Sequence, residues 1–195
     1  MHSAFETRRP DVQDVPRFSY KRDDSLVESE EAVELLNYTP DASKCVARAA
    51  LIESLGLPTA QIENIISDEK ERAKIIKEVI NSKRQRPLEA VTFTFRINNV
   101  SLSCLTHFAR HRIQSIGIPS LTLTNRRRFI LPETIVKKPE LLERYKAAFQ
   151  KTADLYDNLK EQGISDGLLA YIQLSGNTVD FVTTINGREL LLFMK

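Results

Sequence analysis

The chain has 195 residues, with 28 Lys and Arg against 26 Asp and Glu and a formal net charge of +2. It is long enough to bury a core without covalent staples, and too evenly charged for its net charge to argue for nucleic acid. No apolar run approaches the roughly 20 residues of a membrane span, residues 1–30 lack the basic-then-apolar pattern of a signal peptide, and the isolated Cys45 and Cys104 build neither a disulfide framework nor a zinc knuckle, so a reduced cytoplasmic compartment is expected.

Residues 1–30 are polar, carry Pro10 and Pro16, and read as a poorly ordered N-terminal arm available to a partner subunit. Residues 31–195 read as one domain. Ala32 to Tyr38 predicts a short strand, and Thr39-Pro40-Asp41 a turn. Asp41 or Ser43 then caps a helix that buries Val46, Ala49, Ala50 and Ile52 and ends near Gly56. Leu57-Pro58-Thr59 opens a second helical region with Ile62, Ile65 and Ile66 on one face. Ser67 to Glu71 reads as the cap of a third, with Ile75, Ile76, Val79 and Ile80 at helical spacing up to the break at Pro87.

Leu88 to Ile97 predicts a strand in which Val91, Phe93 and Phe95 alternate with Thr92, Thr94 and Arg96, followed by a turn at Asn98-Asn99. Val100 to Arg112 predicts a helix with Leu105, Phe108 and Ala109 facing the core. On such a helix His107, Arg110 and His111 fall at i, i+3 and i+4 and share a cationic face. Arg110 and Arg112 flank His111, and a pair of guanidiniums suits bidentate recognition of phosphate. The plainer alternative is a solvated helix end, with cations near the terminal carbonyls. A metal site is not expected: His107 and His111 have the spacing of a helical zinc pair, but Phe108 stands where a glutamate belongs and the two arginines repel a cation.

Ser115 to Asn125 reads as a loop or extended segment. Pro139 opens a long helix whose stripe of Leu142, Tyr145, Phe149, Thr152, Tyr156 and Leu159 reads as core, and which ends at Gly163. Ser165 to Gln173 predicts one more short helix and Asn177 to Ile185 a strand. Asn186-Gly187-Arg188-Glu189 then starts a helix whose apolar run to Met194 has no stop signal and looks cut short. The clusters Lys83-Arg84-Gln85-Arg86 and Arg126-Arg127-Arg128 raise polyanion binding. No aromatic is interleaved with the first, so nucleic acid is the least favoured partner.

Arg110-His111-Arg112, seven residues and then Ser120 resembles the signature of the flavin-dependent thymidylate synthases. So do Leu88-Glu89 with the Val-Thr-Phe-Thr-Phe-Arg strand, the early Leu-Leu-Asn-Tyr-Thr-Pro-Asp segment and the late Thr-Ile-Asn-Gly-Arg-Glu-Leu-Leu segment, in the right order over about residues 32–195. The resemblance implies an α+β fold, a mixed or antiparallel sheet with long flanking helices. It implies a homotetramer with flavin sites between subunits. In that family FAD is reduced by NADPH and mediates one-carbon transfer from methylenetetrahydrofolate to dUMP, without a protein nucleophile. By resemblance, Arg110, His111, Arg112, Asn186 and Arg188 contact FAD, and His107 and Ser120 fall on nucleotide-binding positions.

The departures from that pattern fall mainly on the nucleotide side. His107 replaces a glutamine, Gly117 and Ile118 replace an asparagine and an acid or amide, and Thr122-Leu123 replace an Arg-Tyr pair. Arg84 to Ala90 replaces a His-x-Ser/Thr-Pro-x-Glu-His pattern, Ala170 or Tyr171 an arginine, and Leu192 a histidine or asparagine; the sequence stops before the family's catalytic arginine. The expectation is a flavin-type site beside a degraded nucleotide site. It leaves open an enzyme of this family and a non-catalytic member serving as a structural or regulatory subunit.

Overall fold

The computed structural model describes residues 32–121 and 126–194. The expectations for the arm at 1–30 and for Thr122 to Asn125 lie outside those residues. Within them, four antiparallel strands form one sheet in the order β1-β2-β4-β3. They are β1 (Val33–Tyr38), β2 (Thr92–Ser101), β3 (Gln114–Gly117) and β4 (Thr178–Asn186). The period-2 pattern of β2 sorts the sheet into two faces. Phe93, Phe95 and Ile97 stand opposite Ile185, Thr183 and Phe181, and Ile116 stands opposite Thr183. These share the face that buries Phe181 and Ile185. The other face carries Thr94 opposite Thr184, with their hydroxyls 2.9 Å apart.

The helical layer begins with α1 (Ala42–Leu55), followed by α2 (Thr59–Ser67) and α3 (Glu69–Asn81). Val46 and Ala50 of α1 pack with Val79, Leu88 and Val91, whereas Ala47 packs with Ile62 and Ile66. Because successive residues turn by about 100°, these two packing directions draw on neighbouring positions. Ala47 is fully buried, while Ala49 is only half-buried and Ile52 is exposed, contrary to the predicted core face. Gly56 ends α1 in the left-handed region, φ 59°, its N–H bonding Ile52 O. Asp41 occupies the N-cap position without a capping side-chain bond. Asp68 does cap α3, accepting from the Lys70 N–H at 2.8 Å.

The strand predicted over Leu88–Ile97 is displaced. Arg86–Ala90 forms a 3-10 turn with Pro87 and Leu88 buried, and β2 begins at Thr92. Asn98-Asn99 is a bulge within β2 rather than a turn ending it. Asn99 has φ 56°, a conformation asparagine tolerates better than most residues. Both amides of the bulge are bonded: Asn98 N–H reaches Ala32 O at 2.9 Å and Asn99 N–H reaches Asp180 Oδ1 at 2.8 Å. The Asn98 side chain accepts from Arg96 Nε and donates to Glu34 Oε1.

Helix α4 (Leu102–Phe108) is also shorter than predicted. Ser101 caps it, Oγ accepting from Cys104 N–H at 3.1 Å, and only Leu105 is buried. Gln114 Nε2 captures Phe108 O at 2.9 Å and turns the chain back into β3. Ala109 is therefore exposed instead of facing the core.

A short helix α5 (Glu133–Val136), not expected from the residue pattern, precedes α6 (Pro139–Glu161). The predicted stripe holds: Phe149 and Tyr156 are buried, with Ala153 added between them. Phe129 stacks on Phe149 with ring centroids 4.3 Å apart. The helix predicted over Ser165–Gln173 is split into α7 (Asp166–Leu169) and a 3-10 turn at Ala170–Ile172. β4 is followed directly by α8 (Gly187–Phe193), with Asn186 as its N-cap. The fold is α+β, with the sheet and flanking helices expected.

Candidate functional site

The Arg-His-Arg segment is not the last turn of a helix. α4 ends at Phe108, and two successive i→i+3 bonds, Arg110 N–H to His107 O and His111 N–H to Phe108 O, unwind it. His107 is therefore helical while His111 has left the helix, which corrects the shared-face geometry predicted for His107, Arg110 and His111. What orients the turn is the ring of His111. It lies 4.5 Å from the Phe193 ring and 6.5 Å from that of Phe108, centroid to centroid. Phe108 in turn packs on Phe193 at 5.4 Å and on Phe181 at 5.1 Å. A ladder of aromatic groups thus joins the turn to β4 and to the end of α8. Arg110 and Arg112 are exposed, and among the described residues neither guanidinium has a hydrogen-bond or ion-pair partner.

The late segment reaches the same end of the sheet. Gln114 pairs with Ile185 as the first rung of β3 on β4, so Arg112 precedes that rung by two residues and Asn186 follows it by one. Asn186 Oδ1 accepts from Glu189 N–H at 2.9 Å, which starts α8. Gly187 is required by close approach: its N–H bonds Val91 O at 2.9 Å, and a Cβ there would meet Leu88 O at 2.8 Å. Arg188 Nη1 donates to Glu89 Oε1 at 2.6 Å. Arg110, His111 and Arg112 thus lie just before β3, whose first rung pairs with the end of β4, and Asn186 and Arg188 lie at the start of α8, with Arg188 engaged on the side of β2.

Ser120 stands apart from them. Ser120 lies beyond the far end of β3, a strand about 10 Å long. Near it, Gln173 Nε2 donates to Leu121 O at 2.7 Å. His107 and Ser120 therefore flank opposite ends of β3.

Glu89 and Phe193 were missed as site neighbours. Glu89 stood in the Leu88-Glu89 pair that carried part of the resemblance, but its partner is 99 residues away in sequence. Phe193 read only as one apolar residue of a terminal helix.

The other basic clusters have different fates. Arg126 lies over the buried Tyr156 ring, 3.0 Å from its centroid. Arg127 bridges Asp154 and Asp157 of α6 at 3.2 and 2.8 Å, and Arg128 bonds the Asn99 side chain. All three arginines are engaged in holding their segment, which removes the free cationic patch the sequence suggested there. Lys83 and Arg84 border a cleft of about 460 Å³ between α1 and α3, beside Glu53 and Glu78. A second, apolar cleft of about 260 Å³ lies between α1, α3 and α8, floored by Val46, Leu88, Val91 and Leu191. Among the described residues no helix is long and apolar enough to cross a membrane.

An antiparallel sheet carries an exposed Arg-His-Arg turn before β3 and an Asn-Gly-Arg helix start after β4. Residues 34–195 match the family described as Thymidylate synthase complementing protein, and the chain belongs to that family. A flavin-dependent thymidylate synthase of Pyrococcus furiosus is 30% identical over 168 residues, which cover 83% of this chain and 68% of that protein. Among solved structures, a UMP/dUMP methylase, PolB, from Streptomyces cacaoi bound with 5-Br dUMP matches with a TM-score of 0.71 at 18% identity, over 83% of this chain and 76% of that one. The flavin-dependent thymidylate synthase of Helicobacter pylori, complexed with FAD and dUMP, matches with a TM-score of 0.55 at 22% identity, over 82% and 81%. At these identities the structural likeness speaks for the fold.

Proposed function

We propose that this chain is a flavin-dependent thymidylate synthase-like protein that holds FAD at the Arg110–Arg112 turn and the start of α8. The reading extends to one-carbon transfer from methylenetetrahydrofolate to dUMP with NADPH as reductant, in a cytoplasmic homotetramer. The observation that carries it is the state of Arg110 and Arg112. Arg48, Arg96, Arg127 and Arg188 all hold carboxylates. Arg110 and Arg112 hold nothing among the described residues, yet their turn is fixed in place through His111.

Two exposed guanidiniums on a braced turn fit the diphosphate of a dinucleotide, because each offers a planar fork to an anionic oxygen. Arg188 adds a third cation from α8. FAD, when bound, supplies the redox chemistry; the protein places it and sets the field around it. His111 orients the turn through its aromatic packing, and Asn186 fixes the origin of α8 by capping it. His107 and Ser120 are the residues proposed for the nucleotide, one at each end of β3. The replaced positions, including Ile118, weaken that side: every charge-assisted hydrogen bond that a neutral side chain there fails to make forgoes about 1.5–3 kcal/mol.

The test is an absorbance spectrum of purified protein across the flavin bands, with and without added FAD and dUMP. Retained or reconstituted flavin, lost in Arg112→Ala, is the expected result. NADPH oxidation accelerated by dUMP extends it to the synthase reaction. A protein that takes up no flavin overturns the reading, and flavin uptake with no dUMP effect removes the synthase part alone.

A further inference from the structure

We propose that Glu89 is the positioning residue for Arg188, fixing its guanidinium for an anionic group of the flavin; the inference rests on the FAD reading above. Arg188 sits in the first turn of α8, on a flexible side chain whose guanidinium is otherwise free to sweep the surface. Glu89 sits on the 3-10 turn at Arg86–Ala90. These two backbones touch. Gly187 N–H bonds Val91 O at 2.9 Å, and there is no room for a Cβ at Gly187 against Leu88 O. The 3-10 turn is itself anchored by buried Pro87 and Leu88. The Glu89 carboxylate is therefore held close to α8 by main-chain contacts that do not depend on the ion pair.

The pair has the form of a brace rather than a closed salt bridge. Arg188 reaches Glu89 through Nη1, at 2.6 Å, and its Nε and Nη2 have no partner among the described residues. Arginine presents its donors in a rigid fork, so engaging one edge fixes the direction of the others. Both side chains remain about half exposed, at 51% and 40%, which leaves the second edge open to a ligand. The same carboxylate could instead compete with an anion for Arg188. The two arrangements have opposite signs: removing a positioner weakens flavin binding, and removing a competitor tightens it.

The experiment is a titration of the full-length protein with FAD, followed by quenching of flavin fluorescence, for wild type, Glu89→Ala, Glu89→Gln and Arg188→Ala. Glu89→Ala is expected to weaken FAD binding by about tenfold. Glu89→Gln, which keeps a neutral acceptor, should fall between it and wild type. In an Arg188→Ala background, Glu89→Ala should change FAD affinity by less than about twofold, because the positioned group is gone. Unchanged or tighter binding in Glu89→Ala overturns the proposal while leaving flavin binding intact. An equal loss in both backgrounds also overturns it, by showing a structural effect independent of Arg188. If Glu89→Ala does not fold, the direction of Glu89→Gln decides. A wild-type protein that binds no FAD overturns the underlying reading and the proposal with it.

Discussion

The imidazole of His111 and the ring of Phe193 lie 4.5 Å apart, centroid to centroid, so the Arg-His-Arg turn is braced by the last turn of α8. Neither residue is held there by a hydrogen bond to the other; the contact is ring on ring. Phe193→Ala should therefore loosen the turn without removing a charge. The ring is partly exposed, so the stability cost is expected near ~1 kcal/mol, below that of a fully buried aromatic. FAD affinity should fall severalfold, and Phe193→Leu should recover most of the stability but less of the affinity. Chemical denaturation and flavin titration on the same samples separate the two effects.

Gly187→Ala is expected to be the most damaging single-methyl change at the site. The added Cβ would lie 2.8 Å from Leu88 O and 2.9 Å from Val91 Cγ2, on and just after the turn that carries Glu89. Backbone cannot give way as a flexible side-chain tip can, so a destabilisation of about 1–3 kcal/mol is expected from overpacking. The helix start should separate from the turn and break the Arg188–Glu89 ion pair. A drop in thermal midpoint together with weakened flavin binding is the outcome to look for. A variant as stable as wild type would mean that the two segments do not touch.

Glu63 gives a pH-dependent term remote from the site. Its hydrogen bond from Arg48, 2.7 Å from Nε, holds its carboxyl below the ordinary value of 4.5. A depressed carboxylate contributes stability above its unfolded value, and that contribution disappears as pH falls through the folded one. The difference in thermal midpoint between wild type and Glu63→Gln should be present at neutral pH and shrink on acidification below about 4.5. Because both side chains are substantially exposed, added salt should diminish it as well.

Tyr156 should produce the opposite dependence at alkaline pH. Burial pushes its phenol above the ordinary 10.0, against the opposing pull of the Arg126 guanidinium. Its hydroxyl donates to Asp166 Oδ1 at 3.1 Å. A raised phenol favours the folded state below its unfolded value and loses that contribution as pH rises through the folded one. Tyr156→Phe keeps the ring under Arg126 and removes only the hydroxyl. It should cost about 1 kcal/mol near neutrality. As pH rises past 10.0, wild type should lose stability faster than the variant, and melting curves taken across that range would show the two converge.

The sequence made the sheet legible through β2, where Phe93 and Phe95 alternate with Thr92 and Thr94, and through the less regular alternation of Val179, Phe181 and Thr183 with Asp180 and Val182 in β4. It made α6 legible through a stripe of aromatics behind Pro139. The bulge at Asn98-Asn99 was misread as a turn because the residues that satisfy it, Glu34 and Asp180, come from β1 and β4. The extent of α4 was misread for a related reason. Nothing local in Ala109-Arg110-His111 stops a helix; Gln114 does so from beyond, by taking the Phe108 carbonyl. At the candidate site, Arg110, His111, Arg112, Asn186 and Arg188 could be picked out from their types and spacing. Their supports could not, since Glu89 and Phe193 act across long stretches of chain.

The consecutive arginines at 126–128 have a consequence for how this region tolerates change. Three adjacent side chains address a ring and a pair of acids on α6 and an amide on the β2 bulge. Because all three are arginines, a slip of the backbone by one position would still present a guanidinium to two of the three receptors. The segment therefore behaves like a clasp with interchangeable teeth. Loss of a single arginine from 126–128 should therefore leave two of the three contacts able to form, and should be milder than replacement of two.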